Sequence, residues 1–129
     1  LIETSRIIVL CASYRDRQPP VIGSNEVDAM EGRYFINTAR GELVDEGGLL
    51  AAVRSNRLAG VAIDVIADEN GANRLTEWRT LLPGRNLIVT PHIGGATFDS
   101  MDRTERYITD KLLASVIADG SDIHSRGTK

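Results

Sequence analysis

The sequence predicts an α/β fold built on a parallel sheet of about four strands with flanking helices. Two observations carry this. Four short apolar runs rich in β-branched residues recur along the chain: RIIVLC (6–11), RYFIN (33–37), VAIDVI (61–66) and NLIVT (86–90). They do not alternate with polar residues, which is the pattern of strands buried on both faces. The stretches between them hold apolar residues at helical spacing, and strands alternating with helices make a parallel sheet covered on both sides.

Each element can be justified in turn. RIIVLC is the first strand, and the charged loop YRDRQPP (14–20) after it is closed by two prolines. Ser24 is a candidate cap for a short helix with Val27 and Met30 one turn apart, and Gly32 ends it. RYFIN is the second strand, followed by the connection TARGELVD (38–45). The next helix buries Leu49, Leu50, Val53 and Leu58, and Gly60 closes it. Gly47 and Gly48 weaken its first turn by about 1 kcal/mol each relative to alanine. VAIDVI is the third strand, and residues 67–86 are mostly loop with a short helix around 75–82. NLIVT is the fourth strand, stopped at Pro91, which lacks a ladder N–H. Thr97 caps a long final helix with Met101, Thr104, Ile108, Leu112 and Val116 along one stripe. One domain over residues 1–119 is expected, with a flexible tail at 120–129 in which His124 is solvated and silent.

Composition excludes several classes. A length of 129 residues supports one domain with a core of its own. A net charge of −3 argues against nucleic acid or an anionic membrane as partner. No apolar run approaches the ~20 residues of a membrane span. The single cysteine, Cys11, leaves no intramolecular disulfide and fits a reducing compartment, so a cytoplasmic location is expected. His92 and His124 are far apart and Cys11 has no partner at ligand spacing, so no metal site is expected.

In a parallel sheet, ligands sit beyond the carboxyl ends of the strands. Asn37 ends the second run and is followed by Thr38, Ala39 and Arg40. Asp64 stands near the end of the third, with Asp68 and Glu69 in the loop beyond, and His92 follows the fourth. A cation, carboxylates and an imidazole are thus expected to converge on one crevice. Ordinary roles exist for each: Arg40 as a helix-flanking charge, D-E-N as turn chemistry, His92 as a corner residue beside proline. Asp64 is harder to dismiss, because a carboxylate inside an apolar strand is costly unless paired.

INTARGELVDE, RLAGVAIDV followed by DE, and NLIVTPHIGGAT together resemble the D-isomer-specific 2-hydroxyacid dehydrogenases, the family of phosphoglycerate dehydrogenase, glyoxylate/hydroxypyruvate reductase and D-lactate dehydrogenase. The resemblance runs from about residue 1 to about residue 113. It implies the parallel-sheet half of a Rossmann-like NAD-binding domain. It also implies interconversion of a small 2-hydroxy acid and a 2-keto acid by hydride transfer, in a homo-oligomer such as a dimer. By the same resemblance Arg40 binds the substrate carboxylate and carbonyl, Glu69 pairs with the catalytic histidine, and His92 is the acid/base. Cofactor contacts are implied at Ala12, Thr38, Ala39, Arg40, Asp64, His92, Ile93, Gly94 and Gly95. The chemistry fits: an imidazole with an unperturbed pKa of ~6.5 can protonate a developing alkoxide. A neighbouring carboxylate favours the imidazolium and orients it, and a guanidinium matches a carboxylate.

The chain departs from the family pattern in three places. Glu69-Asn70 stands where Glu-Pro is common, and Cys11-Ala12-Ser13 stands where a histidine and a proline are common. No G-x-G-x-x-G occurs, nor the acidic residue about 20 positions beyond it that holds the adenosine ribose. NAD is therefore the implied cofactor with NADP left open, and full NAD binding by these residues alone is not expected. The family's non-catalytic co-repressors keep a similar histidine constellation, so a nucleotide-sensing or protein-binding module is the alternative. A formate dehydrogenase relative is disfavoured by Glu69, where that branch uses glutamine.

Overall fold

The computed structural model describes residues 1–95 and 97–123, with side chains described to residue 117. Four strands form: β1 (Ile7–Leu10), β2 (Tyr34–Asn37), β3 (Gly60–Ile63) and β4 (Leu87–Val89). Four α-helices accompany them: α1 (Ser24–Ala29), α2 (Glu46–Arg54), α3 (Leu75–Leu81) and α4 (Phe98–Ile123). The sheet is parallel with order β1-β2-β3-β4, so every connection steps one strand in the same direction. Strand–crossover–strand units are right-handed, so successive steps of this kind put their helices on one face.

The register shows which face. Ile8, Phe35, Val61 and Leu87 stand side by side across the four strands, and all are buried. They pack with Val27 of α1, Leu49, Leu50 and Val53 of α2, and Trp78 and Leu81 of α3. The adjacent row, Val9, Ile36, Ala62 and Ile88, points the other way, and its outer members are 52% and 60% exposed. The expectation of a sheet covered on both faces is thus corrected within Leu1–Gly94. The runs are apolar throughout, but helices α1–α3 cover one side.

Local differences from the sequence reading have clear causes. Gly23, not Ser24, is the N-cap of α1, and its N–H donates to Glu26 Oε2 at 2.9 Å. Helix α2 ends at Arg54, where Asn56 takes a left-handed conformation (φ 56°). Leu58 therefore packs on the core from a loop, and Gly60 opens β3 rather than closing a helix. The predicted connection 38–45 contains a short 3-10 helix, Gly41–Leu43, with Gly41 and Leu43 buried. Thr97 caps α4 as expected, its Oγ1 accepting the Ser100 N–H at 3.1 Å.

The chain divides into two compact units, Leu1–Gly94 and Gly95–Lys129. The first holds the sheet and α1–α3. In the second, α4 runs to Ile123, past residue 120, where the tail was expected to start. Residues 124–129, with His124, lie outside the described residues. The α4 stripe of Met101, Ile108, Leu112 and Val116 is more than half exposed. No helix among the described residues is long and apolar enough to cross a membrane. Nor does any group of three His, Cys, Asp or Glu side chains among them hold metal-binding geometry.

Candidate functional site

The carboxyl ends of the strands carry the polar residues that the sequence singled out. At the end of β2, Asn37 is buried at 2% exposure. Its Nδ2 donates to the Arg40 carbonyl and its Oδ1 accepts the Ala39 N–H, both at 3.0 Å. This side chain folds residues 38–40 into a tight turn and satisfies its own burial. Gly41 follows because nothing larger fits: a Cβ there would overlap the backbone of Ile66 and Ala67. Arg40 is thereby brought to a depression shared with Cys11, Ala12, Ser13, Tyr14, Thr38 and Ala39.

One residue beyond β3, Asp64 is buried, and both of its carboxylate oxygens are engaged. Oδ1 accepts the Thr90 hydroxyl at 2.5 Å and the Ile93 N–H at 2.9 Å, and Oδ2 accepts the Gly94 N–H at 2.8 Å. Burial pushes the pKa of this group up. The hydrogen bonds from Thr90, Ile93 and Gly94, with the field of His92, outweigh burial and hold its carboxyl below the ordinary value. Gly94 is again a close approach, since a Cβ there would stand 2.8 Å from Asp64 Oδ2.

Asp64 thus ties down the turn that presents His92, which sits in the left-handed region (φ 52°). Histidine is one of the few non-glycine residues enriched there. Its Nδ1 is 2.6 Å from Glu69 Oε2. The loop bearing Glu69 is ordered by its own turn chemistry. Asp68, also left-handed (φ 50°), accepts the Ala72 N–H at 2.8 Å, and Asn73 Nδ2 donates to the Glu69 carbonyl at 3.0 Å. With Nδ1 held by a carboxylate, the imidazole is oriented and Nε2 is the nitrogen left to exchange a proton. Beside the pair is a cavity of about 300 Å³ lined by Asp64, Ile66, Glu69, Arg79, Val89 and His92 among others.

The sequence-predicted residues stand at the carboxyl ends of the strands, where they line two depressions. Asp64, Glu69 and His92 line one cavity, while Ala12, Thr38, Ala39 and Arg40 line another depression. The N–H groups of Ile93 and Gly94 are directed at Asp64. Gly95 belongs to the second unit. Sequence reasoning did not assign roles to Asn37, Gly41 or Thr90. The signal for Asn37 was present, a polar residue ending an apolar strand, whereas Thr90 depends on the alignment of β4 with β3.

Comparison with known proteins gives the context. The family model described as D-isomer specific 2-hydroxyacid dehydrogenase, NAD binding domain, matches residues 1–94. D-3-phosphoglycerate dehydrogenase of Dictyostelium discoideum is 34% identical over 115 residues, which are 88% of this chain and 28% of that protein. The crystal structure of D-lactate dehydrogenase from Aquifex aeolicus, complexed with NAD and lactic acid, matches with a TM-score of 0.74 at 27% identity. The match covers 96% of this chain and 41% of that one. The NAD-complexed form of a D-isomer specific 2-hydroxyacid dehydrogenase from Lactobacillus delbrueckii ssp. bulgaricus matches with a TM-score of 0.72 at 29% identity, over 92% of this chain and 38% of that one. The chain spans well under half the length of these relatives. With a family model matched across the whole sheet unit, this chain belongs to the D-isomer-specific 2-hydroxyacid dehydrogenase family.

Proposed function

We propose that this chain is the proton-transfer and nicotinamide-binding portion of an NAD-dependent D-2-hydroxyacid dehydrogenase. The reaction is 2-keto acid + NADH + H⁺ ⇌ 2-hydroxy acid + NAD⁺. The observation that carries this reading is the 2.6 Å contact between His92 Nδ1 and Glu69 Oε2 at the carboxyl edge of a parallel sheet. The small side chains around Arg40 (Cys11, Ala12, Ser13, Thr38, Ala39) leave room for a flat ring, so the residues present fit the nicotinamide end of the cofactor. When bound, NADH supplies the hydride that reduces the carbonyl carbon.

This chain's residues do the rest. Arg40 grips the substrate's carboxylate with its planar fork, and its charge favours the negative charge growing on the carbonyl oxygen. His92 Nε2 delivers the proton that this oxygen takes up and removes it in the reverse direction. Glu69 orients the ring through its contact with Nδ1. Ala12, Thr38, Ala39, Arg40, Asp64 and His92 to Gly95 are the proposed nicotinamide-side contacts, with Asp64 also clamping the His92 turn. The same reading makes the protein a cytoplasmic homo-oligomer.

The test uses the full-length protein that contains this sequence. Incubated with NADH and a panel of 2-keto acids, it is expected to oxidise NADH with at least one. Tight NAD binding with no turnover of any of them would instead point to a co-repressor-like binder.

A further inference from the structure

The turn that carries Arg40 and the loop that carries Glu69 come from different strands and meet side by side. Gly41 lies against the backbone of Ile66 and Ala67. One residue further along each segment, the Asp68 N–H donates to Glu42 Oε1 at 3.1 Å. Glu42 is half-buried, and a carboxylate acceptor makes this a charge-assisted bond. Among the described residues, only two hydrogen bonds tie loop 67–73 to elements distant in sequence: Asp68 to Glu42, and Glu69 to His92. The loop's remaining bonds are made within itself or to the start of α3. Those bonds fix the loop's shape but not where it stands against His92. Asp68 and Glu69 are consecutive, so a shift of the Asp68 N–H passes directly to Glu69. Arg40 is held without Glu42, by the two 3.0 Å bonds of Asn37.

We propose that Glu42 is a positioning residue for the acid/base pair: by anchoring the Asp68 N–H, it sets where Glu69 meets His92 Nδ1. This role rests on the dehydrogenase reading and adds to it a residue that acts only through Glu69. Loss of the anchor impairs proton transfer and spares the grip of Arg40 on the substrate.

In the full-length protein, Glu42→Ala should lower kcat about tenfold, within the ~10²-fold that an ångström of misplacement can cost. KM for the keto acid and NADH affinity should stay nearly unchanged. Glu42→Gln keeps an acceptor oxygen and should recover most of the lost kcat. In a Glu69→Ala background, Glu42→Ala should cost less than about twofold further, because the two residues act in series. A general loss of stability would lower both backgrounds alike. Undiminished kcat in Glu42→Ala, no recovery in Glu42→Gln, or the same tenfold loss without Glu69 overturns the proposal and leaves the dehydrogenase reading standing. The ¹⁵N spectrum of the His92 ring, assigned by its absence in His92→Gln, gives a readout that needs no turnover. Its Nδ1–H signal should broaden through faster exchange with water in Glu42→Ala and persist in Glu42→Gln. That result in a protein that turns over no keto acid keeps Glu42 as the anchor of the pair and sinks the dehydrogenase reading. An Nδ1–H signal unaffected by Glu42→Ala overturns the proposal whether or not the protein is active.

Discussion

His92 shows how much of one side chain's placement can rest on its neighbours. Its left-handed backbone is held from behind by Asp64, and its ring is held from the side by Glu69. If His92 carries the proton, His92→Ala in the full-length protein should lower kcat by ~10²–10⁴-fold with cofactor affinity nearly unchanged. Stopped-flow turnover and NADH titration together check this, and undiminished kcat removes His92 from the mechanism. Asp64 gives a separate, pH-dependent prediction. Its folded-state value lies below its ordinary 3.8, so the stability that it contributes is fully present above that value. That stability is lost as pH falls through the lower folded-state value. Melting temperatures of the wild type and Asp64→Asn should therefore differ at neutral pH and converge in acid; a constant gap would mean that the carboxylate's charge plays no part. His92, Glu69, Asp64 and Arg40 could be found in the sequence because charged residues at the ends of apolar runs stand out. The Asp64–Thr90 bond could not, because it depends on how β4 aligns with β3.

At the level of elements, β1, β2 and β4 were legible to within a residue because short apolar runs have sharp edges, whereas β3 ends at Ile63, three residues before its apolar run does. Helix ends were less so. The C-terminus of α2 depends on Asn56 adopting a left-handed turn, and the next apolar residue, Leu58, mimics a continued helical stripe. Nor did the sequence reveal that the turn Gly41–Leu43 presses against the chain leaving β3. That contact has a measurable consequence. A methyl group at Gly41 would overlap the backbone of Ile66 and Ala67, which cannot swing aside as a side chain can. Gly41→Ala should destabilise the fold by about 1–3 kcal/mol, the usual cost of forcing an extra methyl into a filled site. Because residues 64–69 lead directly to Glu69, the substitution should also loosen the His92–Glu69 pair. Urea unfolding measures the first effect. The second is read from kcat measured at a temperature where the variant is fully folded, and wild-type stability in Gly41→Ala would show that the close approach is not real.

The whole molecule is governed by the one-directional order of its sheet. Because each crossover returns on the same side, the face bearing Val9, Ile36, Ala62 and Ile88 receives no helix from α1–α3. The edge of β1 opposite β2 carries no paired strand among the described residues. Apolar residues on both faces say that both faces are suited to burial, not which segment covers them. A strand edge with free N–H and C=O groups beside exposed Ile7 and Val9 is a template for another chain. Exposed Ile88 extends the apolar surface across the sheet to β4. We therefore expect the isolated 129-residue chain to self-associate through the β1 edge or this open face. It should also be inactive alone, since the sequence holds no glycine-rich loop for the cofactor's pyrophosphate. Sedimentation velocity or light scattering over a wide concentration range tests the first point. Val9→Lys, which puts a charge on both the edge strand and the open face, should raise the concentration at which association begins. A chain that stays monomeric at every concentration and binds NAD at ordinary dehydrogenase affinity would mean that the open face and edge are satisfied within the chain itself.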